Sequence, residues 1–230
     1  MHGARIVAVG SDASAFRLPS LGVVAVFDAS GALDAGFNGR GILFDNARYF
    51  HSVAGRSDGY VVSGTERAAA RVSLRAIARD GSPVRSFGQG GVAVHALPQD
   101  AFAGDLLVGD GGDVFLVRAA VAPGASLQSA LAGVVHFLPN GDTDAAFGAD
   151  GVYQTGDGWS YQYSHGRHLA RHCDGRILFA AQASGASPPL RVHRITPQGR
   201  ADTSFGSGVA TLRGSGRTAN DSVYVRVAAP

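Results

Sequence analysis

The chain has 230 residues, 45% of them hydrophobic, and a formal net charge of +2 with histidine neutral. This length allows a well-buried core in one domain, while the small charge excludes a strongly basic surface of the kind that binds nucleic acid. No apolar run approaches the length of a transmembrane helix, and the single cysteine excludes an intramolecular disulfide. We therefore expect neither a nucleic-acid nor a membrane partner.

Short runs of β-branched and aromatic residues, separated by turns rich in Gly, Asp, Asn and Ser, follow one another along the chain. One complete set of four lies at 49–54, 60–63, 72–78 and 91–95. Such runs predict strands joined by tight turns. The Ala and Leu content of 67–79 would also suit a helix, but the aligned runs elsewhere are short and β-branched, so we predict a strand.

One short sequence motif, which we call the repeated phrase, occurs four times. In each copy a Gly lies six residues before a Phe, and in three copies an Asp lies three residues before that Phe. The phenylalanines follow one another at steps of 50, 60 and 58 residues: Phe37, Phe87, Phe147 and Phe205. A period in this range indicates a repeat architecture. We expect four-stranded sheets stacked around an axis, with each Phe packed between neighbouring sheets and with Gly allowing positive φ in the turn.

These copies, each preceded by a hairpin such as Asp58-Gly59 or Asp174-Gly175, resemble the delta-60 repeat family of β-propeller-like proteins. The resemblance covers essentially the whole chain, although Val84 replaces the Asp in the second copy. It implies an all-β fold, a four-bladed β-propeller of four-stranded antiparallel blades. It implies little about function, because members of that family are mostly uncharacterised repeat arrays.

The two ends of the chain complement each other in the repeat. Residues 5–10 match the second strand of the last unit, at 176–181, and the run at 221–229 has the pattern of a first strand. We predict a single domain, 1–230, in which this C-terminal inner strand closes the ring and removes an open edge. The predicted blades are 220–230 with 1–45, 46–98, 99–157 and 158–216. The alternatives are a fragment of a larger propeller or half of an eight-bladed dimer.

The connections between second and third strands, at 11–20, 64–70, 118–129 and 182–189, are longer than the other turns and differ between copies. Variable loops on a rigid scaffold are frequent binding sites, so we place the ligand at this face and at the mouth of the central channel. The alternating aromatic rings at 159–163 suit stacking on a sugar or another flat ligand, or packing between blades. The candidate ligand-binding residues are Arg17, Arg48, Trp159, Tyr161, Arg167 and Asp221.

Counting back from the hairpins puts Asp105 and His168 at equivalent positions, with His51 one residue earlier. Inner strands converge on the axis, so these three side chains could form a site for Zn²⁺ or another divalent transition metal. They could instead perform acid–base catalysis, assisted by Tyr163 and His165. The third interpretation is that these side chains are purely structural and form hydrogen bonds to loops and to water in the channel.

We therefore predict a ligand-binding module for a small molecule, glycan or protein segment, either monomeric or dimeric. The alternative is a small hydrolase or lyase with a His/Asp site, with or without a metal ion. A purely structural repeat domain is a weaker third hypothesis. Histidines 136 and 193 on third strands, and His95 on a fourth, are expected to be structural or at the surface. The opening residues do not resemble a signal sequence, so the compartment stays open, including export of a chain whose signal was removed.

Overall fold

A computed structural model describes residues 5–12, 21–66, 71–95, 101–120, 130–158, 168–182 and 189–212. Within these ranges the chain forms four antiparallel sheets, each built from strands in chain order. The first sheet contains β1 (Ile6–Asp12), β2 (Leu21–Phe27) and β3 (Ile42–Asp45). The second contains β4 (Arg48–Arg56), β5 (Gly59–Glu66), β6 (Arg71–Ala78) and β7 (Val92–His95).

The third and fourth sheets repeat this order of strands. The third contains β8 (Ala101–Val108), β9 (Val114–Ala120), β10 (Leu131–Phe137) and β11 (Val152–Gly158). The fourth contains β12 (Leu169–Arg171), β13 (Ile177–Gln182), β14 (Leu190–Ile195) and β15 (Val209–Leu212). A single 3₁₀ turn at Gly206–Gly208 is the one helical element of the described ranges.

The predicted all-β fold, made of successive antiparallel sheets, is confirmed, and β6 is a strand rather than a helix. The first sheet has three strands in the described part of the chain. The predicted closing strand at 221–229 lies outside that part, so the closed ring stays a prediction. No helix in the described ranges is long and apolar enough to cross a membrane.

The hydrophobic core lies between neighbouring sheets, because alternate residues of a strand point to opposite faces. Val62 belongs to the cluster between the first and second sheets, whereas the adjacent Val61 belongs to the cluster between the second and third. A third cluster joins the third and fourth sheets. Each cluster contains one phenylalanine of the repeated phrase, fully buried: Phe37, Phe87 and Phe147. The phenylalanines therefore pack between sheets, as the repeat predicted.

A backbone hydrogen bond lies next to each of these phenylalanines. We call the buried phenylalanine and this hydrogen bond together a sheet junction. The N–H of the residue after Phe donates to a carbonyl in the next sheet's phrase: Asn38 to Asp80 (2.7 Å), Gly88 to Asn140 (2.6 Å) and Gly148 to Gln198 (2.9 Å). The glycine after each acceptor has positive φ, and a Cβ on Gly81 or Gly141 would lie 2.8 Å from the donating nitrogen. Only glycine fits such a backbone at such a distance.

Replacing Phe87 with Ala should lower the free energy of unfolding by about 3–5 kcal/mol, because it empties a fully buried site between two sheets. Urea denaturation followed by circular dichroism measures this loss. Phe44→Ala is the matched control: Phe44 is 43% exposed and lies under Arg40, and we expect a loss of about 0.5–1 kcal/mol. Equal losses in the two variants would contradict a core held by this phenylalanine.

Candidate functional site

The predicted site lies at the end of the sheets that carries the connections β1–β2, β5–β6, β9–β10 and β13–β14. Four of its candidate residues are described: Arg48, His51, Asp105 and His168. The other candidates lie outside the described residues: Arg17, Trp159, Tyr161, Tyr163, His165, Arg167 and Asp221. The inner strands and the strand ends around them therefore form the described part of the predicted site.

Two of the candidates lie at irregularities of the inner strands. Phe50 pairs with Gly64 and Ser52 with Ser63, so His51 is an extra residue in β4. A similar shift in β8 leaves Gly104 and Asp105 opposite the single residue Val117. Such bulges redirect side chains and are frequent next to functional sites.

The strand register defines the equivalent positions of the inner-strand residues. The pairs Val53–Val62, Leu106–Leu116 and Leu169–Phe179 occupy equivalent positions in the three sheets. The residues immediately before the first member of each pair are therefore equivalent to one another: Ser52, Asp105 and His168. Asp105 and His168 match, as predicted, and His51 lies one residue before the equivalent position, which Ser52 occupies.

The Asp105 carboxylate hydrogen-bonds to all three of these inner strands. One carboxylate oxygen accepts from the Ser52 hydroxyl (3.2 Å) and from the N–H of Leu106 (2.9 Å). The other accepts from the N–H groups of His168 (2.8 Å) and Leu169 (3.3 Å). Hydrogen bonds to an ionised acceptor are stronger than neutral ones. The carboxylate therefore holds β4, β8 and the start of β12 together.

His51 faces a different partner. Its Nε2 lies 3.0 Å from Thr65 Oγ1, which also accepts a hydrogen bond from the N–H of Ala103 (3.1 Å). The Thr65 hydroxyl can donate to an unprotonated Nε2 or accept from a protonated one, so this hydrogen bond forms with either tautomer of His51. Burial lowers the pKa of His51 to about 4, so this imidazole is neutral at pH 7.

The metal site predicted for His51, Asp105 and His168 is not assembled in the structure. No three His, Cys, Asp or Glu side chains in the described ranges are placed to hold one metal ion. The physical reason is the bulge in β4, which directs His51 to Thr65, while both oxygens of Asp105 accept hydrogen bonds from the chain itself. The His168 side chain is buried.

Arg48 belongs to an ion cluster at the same end of the second sheet. Its guanidinium contacts Asp45 (3.1 Å) and Glu66 (3.0 Å), and Asp45 also binds Arg75 (2.6 Å). Burial raises the pKa of Asp45, but the Ala47 N–H, Arg48 and Arg75 outweigh that effect and hold the pKa below its usual value. The cluster is internally paired, so Arg48 is engaged by the protein's own carboxylates.

Arg118 is a further candidate, one that the sequence patterns do not indicate. It lies near the end of β9, is only 8% exposed, and donates to the side-chain carbonyl of Gln154. No carboxylate of the described residues pairs with it, and its buried Nε has no hydrogen-bond partner there. Burial lowers the pKa of Arg118 to about 10. Gly133 pairs with it on β10 and leaves room for the guanidinium, since a Cβ there would lie 3.3 Å from Nε.

A second titratable cluster lies at the opposite end of the third sheet. His136 Nδ1 lies 2.9 Å from Asp144 and Nε2 lies 3.1 Å from Asp113. The ring stacks on Phe115, with 4.3 Å between centroids, and contacts Phe147. His136 is on a third strand, as predicted, and it connects the repeated phrase to the start of β9.

No protein-family model and no curated protein matches this chain. Among solved structures, it is similar to a puromycin hydrolase, with a TM-score of 0.47 and 16% identity. It is likewise similar to a mutant of puromycin hydrolase complexed with PGG, with a TM-score of 0.48 and 16% identity. Each match covers 91% of this chain and 31% of the other, so the chain spans less than a third of their length.

Replacing Asp105 with Ala should lower the free energy of unfolding by about 3 kcal/mol, because it leaves the N–H groups of His168 and Leu169 without their acceptor. Chemical denaturation at pH 7 measures the loss. The control is Asp110→Ala, which removes an exposed carboxylate with one contact to Arg171 and should change stability by about 0.5 kcal/mol or less. An Asp105 variant as stable as the control would contradict the structural role.

Proposed function

We propose that this chain is a ligand-binding module of the β-propeller type, similar to delta-60 repeat proteins, and that it binds through the end of its sheets that carries the variable connections. The ligand in this proposal is a small molecule, glycan or protein segment that presents a carboxylate or phosphate group. The observation that supports it most directly is the buried guanidinium of Arg118, which has no carboxylate partner among the described residues.

The energetics of that guanidinium favour an anionic ligand. Burying a charge without a counter-charge is costly, and with a pKa of about 10 Arg118 keeps its charge at neutral pH. A guanidinium has five N–H donors arranged to match the oxygens of carboxylate and phosphate, and Gln154 takes only part of this capacity. Gln154, which accepts a hydrogen bond from the guanidinium, is exposed.

Within the part of the chain that the structure describes, no carboxylate forms an ion pair with Arg118. Burial, together with the nearby Arg118 charge, lowers the pKa of His95 to about 4, so this imidazole is neutral at pH 7. Arg118 is also followed after two residues by the variable connection at 121–129. A cation next to a variable loop on a rigid strand is a common basis for ligand recognition.

The alternative of a hydrolase or lyase has less support. It requires His51 or Asp105 to act on a substrate, yet His51 is neutral and bonded to Thr65, and Asp105 accepts four hydrogen bonds from the protein. Freeing either group for catalysis would disrupt contacts between inner strands. Binding therefore ranks ahead of catalysis in this proposal.

Isothermal titration with a panel of carboxylates, phosphates, uronic-acid glycans and acidic peptides tests the proposal. We expect at least one anionic probe to bind and its uncharged analogue not to bind. Arg118→Gln should weaken binding by roughly ten- to a hundredfold, the loss typical of a hydrogen bond to a charged group. Arg200→Gln is the matched control, because this exposed arginine lies in the repeated phrase at the other end of the fourth sheet. Binding that survives in Arg118→Gln, or no binding by any anion, would refute the proposed site.

A further inference from the structure

The fourth sheet ends in half of a sheet junction. Phe205 is half-buried, whereas its three equivalents, Phe37, Phe87 and Phe147, are completely buried. The N–H of Gly206 has no acceptor in the described ranges, although the equivalent N–H in every other sheet donates to the next sheet. We call Phe205 and Gly206 the donor end.

The first sheet begins with the other half of the same junction. Ser30 is equivalent to the three acceptors Asp80, Asn140 and Gln198, and Gly31 is equivalent to the three glycines that press on the preceding sheet. Yet a Cβ on Gly31 would meet no atom of the described residues within 4 Å. The Gly206 N–H and the Ser30 carbonyl of the same chain form no hydrogen bond. We call Ser30 and Gly31 the acceptor end.

Apolar surface surrounds the acceptor end. Ile6, at the start of β1, is 58% exposed, whereas Val114 and Ile177, which start β9 and β13 at the equivalent position, are completely buried. In the third and fourth sheets the preceding sheet covers this position, so the first sheet presents an apolar position that a sheet of this same repeat would cover.

We propose that the donor end of one copy of this chain docks on the acceptor end of a second copy. The Gly206 N–H of each copy then donates to the Ser30 carbonyl of the other, and each Phe205 packs against the other copy's first sheet. A second copy satisfies both unfilled ends at once through two identical contacts. The two-fold dimer closes eight sheets into one ring, a number that propellers reach, and it leaves no end that could continue into a filament.

Light scattering coupled to size exclusion, over a range of protein concentrations, tests the dimer. We expect wild type to have twice the 23.5 kDa mass of the chain and to dissociate on dilution. Gly31→Gln fills the acceptor end and Phe205→Asp places a charge in the donor end, so each should be monomeric at concentrations where wild type is dimeric. Gly39→Gln is the matched control, because Gly39 also has positive φ and open space around it, and it should stay dimeric.

Mixing the two monomeric variants tests directly whether a donor end binds an acceptor end. Gly31→Gln keeps an intact donor end and Phe205→Asp keeps an intact acceptor end, so an equimolar mixture restores one junction and should give a mixed dimer. A wild type that is monomeric at about 100 μM, a concentration at which even a micromolar complex would form, overturns the proposal. So does a dimer that persists in both variants, an open-ended polymer, or a dimer lost equally in Gly39→Gln.

Discussion

The rest of the fold depends on one backbone hydrogen bond that recurs between sheets. The residue after Phe37, Phe87 and Phe147 donates it to a carbonyl of the next sheet. It sets the spacing of neighbouring sheets, and that spacing closes the core around Phe37, Phe87 and Phe147. It also requires glycine at a fixed place, because the backbone there has positive φ and touches the donating amide. The aspartate of the phrase supports the turn: its side chain accepts the N–H two residues later in the first, third and fourth copies.

The charged side chains around the sheet junction differ from one sheet to the next. In the first sheet Asp34 pairs with Arg5, and in the fourth Asp202 pairs with Arg176 and Arg194. In the third sheet a carboxylate, Asp113, stands where Arg5 and Arg176 stand, and His136 lies between it and Asp144. The second sheet has Gly59 and Val84 at the corresponding places and uses no charge. The same backbone contact thus tolerates an ion pair, a bridging imidazole or an apolar pair.

The parts of the fold that depend on backbone conformation could be predicted from sequence, and the parts that depend on register could not. Gly and Phe recur because positive φ and a fully buried ring allow few substitutes, so their spacing revealed the sheets. Counting residues from the hairpins also placed Asp105 and His168 together. The bulge that turns His51 toward Thr65 adds a residue without any signal in composition. The sequence places Arg118 in the connection at 118–129, because only strand pairing shows that it lies on β9 beside Gly133.

Hydrogen exchange at four amides, followed by NMR at low and high protein concentration, tests the junction most directly. The N–H groups of Asn38, Gly88 and Gly148 should be protected at every concentration, since each donates to a carbonyl of the next sheet. The N–H of Gly206 should exchange quickly in dilute protein and become protected as concentration rises. Protection of Gly206 in dilute protein would mean that the chain closes on itself, and rapid exchange at the other three would mean that the junction does not hold the sheets together.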